Sequence, residues 1–163
     1  MGAPDFKSGR GPGQLHRSPL LMTDAEYLER FNNDYWATLR QGGVDALSRL
    51  QRDALCIMNF QGEINNGGMH QYLFNSSGDF ARETPDVLRR IGATVPAALL
   101  DRANAYFGPE GPPISRDLRM EQLLALPEDK QQEIHNLTKE FFDAEDRGLC
   151  LADLFDAYVV ANK

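Results

Sequence analysis

The stretch from Phe60 to Phe80 reads FQGEINNGGMHQYLFNSSGDF and gathers residue types that can do chemistry. Glu63, Asn65, Asn66, His70, Gln71, Asn75, Ser76, Ser77 and Asp79 supply acids, a base, amides and hydroxyls, and the glycines Gly67 and Gly68 add backbone N–H donors. As a catalytic or ligand-binding site, Glu63 or His70 would be the general base, with the amides, hydroxyls and glycine N–H groups holding a substrate. The plainer reading is structural. Glu63 and the asparagines would satisfy loop amides, and the glycines would supply backbone conformations that other residues avoid. Asn65-Asn66-Gly67-Gly68 are four consecutive residues that tolerate the left-handed region, which predicts a tight connection between two helices. The amides outnumber what two turns require, so the segment stands as a candidate polar site.

Other chemistries find no support in the spacing. The three histidines, His16, His70 and His135, are not paired at metal-ligand intervals, and Glu63 and His70 are seven apart across a glycine break. Neither Ser76 nor Ser77 sits in a nucleophile elbow, and the glycine pair lacks the Lys-Ser/Thr of a phosphate-binding loop. No metal, cofactor or catalytic residue is assigned. Phe31, Tyr35 and Trp36 recur at helical spacing and are expected in the core. Cys56 and Cys150 lie in apolar patterns without a C-x-x-C interval, so both are read as small buried hydrophobes in a reducing cytoplasm.

The elements that must position the polar segment are helices. Thr23 followed by Glu26 is a capping box, after which Tyr27, Leu28, Phe31, Tyr35 and Leu39 recur until Gly42-Gly43 stops the run. Val44, Leu47, Leu50, Leu55 and Met58 mark a second helix to about Gly62. Thr84-Pro85-Asp86 starts another, ended by Gly92, and Thr94 and Pro96 open one that runs to Phe107. The run Gly108-Pro109-Glu110-Gly111-Pro112-Pro113 is a surface loop. Beyond it Ser115 can cap a short helix carrying Leu118, Leu123 and Leu124. A longer helix from Pro127 faces Ile134, Leu137, Phe141 and Phe142 inward. A last one carries Leu151, Leu154, Phe155, Tyr158 and Val159. No segment alternates with period two, and none has the roughly 20 apolar residues of a membrane span. The fold expected is all-α: one multi-helix domain over residues 23–163.

Residues 1–22 differ from the rest, with four Gly, three Pro and a single short apolar cluster. They read as a flexible leader, either an appended scar or an upstream extension of a chain whose natural start is Met22. Lys7, Arg10 and Arg17 against Asp5 give the leader +2, so of the chain's −7 the remainder carries −9. Nine acids between Glu128 and Asp156 face only Lys130, Lys139 and Arg147. Glu140, Asp143, Glu145, Asp146, Asp153 and Asp156 are therefore the candidate partner surface. Such a field repels nucleic acid and attracts a basic protein; the alternative is a solvated helix face.

GEINNGGMHQYLFNSSGD (residues 62–79), followed some ten residues later by LRRIGA (residues 88–93), resembles the signature of the family built on the C-terminal domain of a bacterial DNA-mimic protein. The likeness runs from about Leu28 to Tyr158, with Met69 standing where an aromatic residue is expected. The resemblance implies an all-helical fold. It also implies a protein-interaction role, in which surface carboxylates imitate phosphates and occupy the DNA-binding face of a transcriptional regulator.

Overall fold

A computed structural model describes residues 22–163; the leader assigned to residues 1–22 lies, Met22 apart, outside the described residues. Helix α1 (Asp24–Gly42) starts at the expected capping box, Thr23 N–H donating to Glu26 Oε2 at 2.8 Å and Glu26 N–H to Thr23 Oγ1 at 3.3 Å. The next helix does not begin at Val44. Val44–Ala46 forms one 3-10 turn, and α2 (Arg49–Phe74) starts from a second capping box between Ser48 and Gln51. Four further helices pack around α2: α3 (Thr84–Arg90), α5 (Arg116–Leu124), α6 (Glu128–Asp146) and α7 (Leu151–Ala161). Helix α4 (Thr94–Asn104) lies between α3 and α6. The architecture is all-α, with no strand among the described residues, and no helix there is long and apolar enough to cross a membrane.

The main core is built on α2, whose Cys56, Phe60, Ile64, Met69, Tyr72 and Leu73 are all fully buried. Phe60 sits edge-on against Tyr72, ring centroids 5.2 Å apart, and against Phe141 of α6 at 5.8 Å. That arrangement suits the ring quadrupoles. The Tyr72 hydroxyl donates to Thr84 Oγ1 at 2.9 Å and the Thr84 hydroxyl in turn donates to Phe80 O, so the buried phenol is not left unsatisfied. Burial in turn pushes the Tyr72 phenol pKa up. A smaller second core joins α1 to α2 around Tyr35, Ala54 and Leu55.

Several apolar residues expected inside lie outside, for one geometric reason. Adjacent residues on a helix point about 100° apart, so a pair cannot share a narrow buried stripe. Tyr35 takes the core and Trp36 remains 39% exposed; Phe141 and Leu123 are buried while Phe142 and Leu124 face solvent. Leu118 is exposed because the buried stripe of α5 runs through Arg119 and Leu123. Cys150, at the start of α7, is exposed, whereas Cys56 is buried and its thiol pKa is pushed up to about 12, chiefly by that burial.

One buried ion pair ties three helices. Asp53 of α2, with its side chain 4% exposed, accepts from Arg90 Nη2 of α3 at 2.6 Å and from the Tyr158 hydroxyl of α7 at 2.9 Å. Its sequence neighbour Arg52 pairs with Glu83 at 2.7 Å, but both side chains there are about two-fifths exposed, 42% and 38%. Removing one partner of a buried pair strands the other, whereas an exposed pair contributes little. Arg90→Ala, which strands the buried Asp53 carboxylate, is expected to cost roughly 3–5 kcal/mol, and Arg52→Ala no more than about 1 kcal/mol. Urea denaturation of both variants checks the contrast.

Candidate functional site

The polar segment does connect two helical arms, but it does so at a single residue. Asn65, Asn66 and Gly67 continue α2, and the helix bends only at Gly68, where φ is 79° and ψ −170°. The tight connection expected over Asn65–Gly68 is thus one residue long, and Gly68 absorbs the whole change of direction. The joint frees the Met69 N–H, which donates instead to Thr138 Oγ1 of α6 at 2.9 Å. A Cβ on Gly68 would stand 2.7 Å from that same oxygen, so both the backbone conformation and the approach of α6 require glycine here.

Beyond the joint, the polar side chains converge on one carboxylate. Glu63 Oε2 accepts from Gln71 Nε2 at 2.8 Å and Asn75 Nδ2 at 2.9 Å, and Glu63 Oε1 accepts from Ser77 Oγ at 2.9 Å. Gln71 reaches back over the bare face of Gly67 to do so; a Cβ there would collide with its side-chain amide. Burial opposes ionisation of Glu63, but the three donors outweigh it and hold the carboxyl below its ordinary pKa. His70 stacks on Phe74, centroids 6.1 Å apart, and burial lowers its pKa. His70, Gln71, Phe74 and Asn75 line an open groove of about 490 Å³.

The structure thus brings Glu63, Gln71, Asn75 and Ser77 together, leaves Asn65, Asn66 and Ser76 exposed on the surface, and sends Asp79 elsewhere. Asp79 Oδ1 accepts from Nη2 of Arg119 at 2.7 Å. Arg119 of α5 is fully buried and also donates to the carbonyls of Leu73, Asn75, Pro113 and Ile114 at 2.7–3.0 Å. Neither Arg119 nor Thr138 was singled out by the sequence pattern. Both act on the segment from 40 or more positions away; the one local signal is that Arg119 stands four residues before buried Leu123, on its stripe.

The acidic face behaves differently. Glu140 is engaged, forming a two-point pair with Arg102 (2.7 and 3.1 Å), and Glu133 bonds Lys130 and the Tyr106 hydroxyl. Asp143, Glu145, Asp146, Asp153 and Asp156 have no ion-pair partner among the described residues. The last turn of α6 holds acids and no basic side chain, at the helix end where the dipole disfavours negative charge. Burial, and then Asp146, raises the Glu145 pKa; burial, and then Asp153, raises that of Asp156. No cluster of three or more His, Cys, Asp or Glu among the described residues is placed to hold a metal ion.

A family model described as DMP19-like protein matches residues 45–162, which include both stretches of the resemblance noted above. The match begins after α1 rather than at Leu28. No curated protein and no solved structure matches the chain.

Three variants separate the joint from the hub. Gly68→Ala is expected to destabilise by roughly 2–3 kcal/mol, from positive φ and the clash with Thr138 together, while Gly67→Ala, in ordinary helical backbone, costs less because the Gln71 side chain can swing away. Glu63→Gln removes a carboxylate whose folded pKa lies below its unfolded value. Its stability deficit against the unmodified chain is fully present above roughly pH 4.3 and closes as pH falls through the folded pKa. Denaturation midpoints between pH 7 and pH 3 test it; a deficit unchanged across that range contradicts the hub.

Proposed function

The chain belongs to the DMP19-like protein family, and on that premise we propose that residues 23–163 act as one acidic protein-interaction domain in the cytoplasm. Its partner is a basic protein, in the finer form of the reading a DNA-binding transcriptional regulator from which it displaces nucleic acid. The segment GEINNGGMHQYLFNSSGD carries the family likeness in this reading because it builds the joint and the hub on which the fold turns.

The observation that supports the role is the unpaired acid group at the meeting of α6 and α7. Asp143, Glu145 and Asp146 stand in a last helical turn that has no basic side chain, and Arg147 at the C-cap forms no ion pair with them. Each such placement costs the free protein roughly 0.3–1 kcal/mol. A merely solvated face would gain by exchanging one of them for lysine. A face that receives cations from a partner recovers the cost on binding, and spaced carboxylates offer what a basic DNA-binding surface otherwise finds in phosphates. The polar hub supports the alternative of a small enzyme less well, since Glu63 is already committed to three internal donors.

The two effects have opposite signs, which makes the reading testable. Asp146→Lys is expected to stabilise the free protein by about 0.3–1 kcal/mol while weakening capture of a basic partner. Charge reversal at Asp143, Asp146 and Asp153 together should abolish most binding, and wild-type binding should fall steeply with salt. Glu63→Gln and His70→Ala should leave it intact. Pull-down at low and high salt, with thermal melts of the same variants, measures both; binding indifferent to salt and to the reversals would sink the proposal.

A further inference from the structure

Helix α1 is attached by a thin seam. Over 19 residues only Tyr35 is fully buried, and the second core it shares with α2 is small. Between α1, α2 and α7 this seam is left open as a cavity of about 200 Å³. Its walls are apolar: Leu28, Phe31 and Tyr35 from α1, Met58 from α2 and Phe155 from α7, with buried Ala54 at the base. Asn32 and Asp156 provide the polar groups at its edge. Met58, an apolar side chain 42% exposed, lies in this wall and has no core partner to cover it.

The cavity is too small for a cofactor or metabolite, whose pockets occupy roughly 300–1,000 Å³. It has room for one large apolar side chain. The charge beside it is of one sign: Asp156 has no cation within ion-pair distance among the described residues, and Asp153 is near enough to act on it. An apolar slot rimmed by an unpaired carboxylate complements a side-chain pair of the opposite make-up. Small interfaces concentrate their energy in such anchors, where one bulky residue enters a pocket and charged groups surround it.

We propose that the α1/α2/α7 cavity is the anchor pocket of the acidic face, taking a bulky apolar side chain of a basic partner whose neighbouring arginine or lysine meets Asp156. The inference rests on the acidic-face reading and adds a location and a specificity to it. The wall supplied by α1 lies outside residues 45–162, so the pocket joins the family-matched body to a helix that the match does not include. Selectivity then comes from burial in the slot, while the acids of α6 and α7 set the rate and salt dependence of encounter.

The test uses the full 163-residue chain and two amidated probe peptides of equal length and charge, one alternating arginine with leucine, the other arginine with serine. Burying one leucine side chain should make the first bind about tenfold or more tightly than the second. Amide shifts should be mapped to residues 28, 58 and 155. Ala54→Leu, which fills the base of the cavity, should bring that ratio to about one without weakening the arginine–serine peptide. Leu28→Arg, at a half-exposed wall position, places a cation beside Asp156 and should do the same without touching the core. Equal affinities in the unmodified chain, or a leucine preference that survives both variants, overturn the pocket while leaving the acidic-face reading in place. Failure of both peptides to bind removes both. A dimer in solution that Ala54→Leu dissociates would make a second copy the occupant and overturn the basic partner.

Discussion

The guanidinium of Arg119 holds the far end of the molecule together. It is fully buried, and its five N–H groups meet five acceptors: the carbonyls of Leu73, Asn75, Pro113 and Ile114 and the carboxylate of Asp79. Two of those carbonyls belong to the end of α2, where a helix leaves its last C=O groups without partners. The others come from a proline-rich loop and from the 3-10 turn Ser76–Phe80 that leads into α3. A buried charge is costly unless every donor is used, and here every donor is used. Packing is correspondingly close. A Cβ on Gly78 would lie 2.7 Å from Arg119 Nε and from the Tyr72 carbonyl, so residue 78 can carry no side chain. Lysine, with one compact ammonium, could not reach acceptors spread over this fork.

The polar hub depends on that anchor. Asn75 is held by its carbonyl on Arg119 and by its side chain on Glu63, so the two networks share a residue. Arg119 fixes where α2 ends, Glu63 fixes how the last two turns fold back, and Gly68 sets the angle between them with Thr138 as its stop. The segment that looked most like an active site is therefore the part of the fold under the heaviest geometric constraint. Its amides are numerous because they cross-link a bent helix.

How much of this could be read from the residues follows from the range of the interactions. Local signals were legible. The Thr23–Glu26 capping box, the start at Thr84-Pro85 and the stop at Gly92 all act within one or two turns. The all-α class followed from periodicity alone. Position 68 illustrates the limit: four residues tolerant of positive φ showed that a bend was available, but only the approach of Thr138, 70 positions later, decides that a single glycine makes it. Arg119 is the same case in stronger form, since a charged residue in an amphipathic pattern is ordinarily assigned to the solvent face. Phe142 and Trp36 were placed inside because periodicity does not say which of two adjacent apolar residues takes the stripe.

The carboxylates sort into two groups once these constraints are known. Asp53, Glu63, Asp79 and Glu140 are committed to arginines, amides or hydroxyls of the fold, and removing any of them unsettles a neighbour. Asp143, Asp146, Asp153 and Asp156 make no ion pair within the described chain, and the first two stand where the helix dipole disfavours them. Stability does not account for a group that lowers stability, and for that reason the proposed partner surface is built on the uncommitted acids. One of them, Asp156, lines the place where the apolar packing is also incomplete, the seam between α1 and α7. At Asp156 unspent charge and unfilled volume meet, the two deficits that the proposed basic, apolar-tipped partner would make good together.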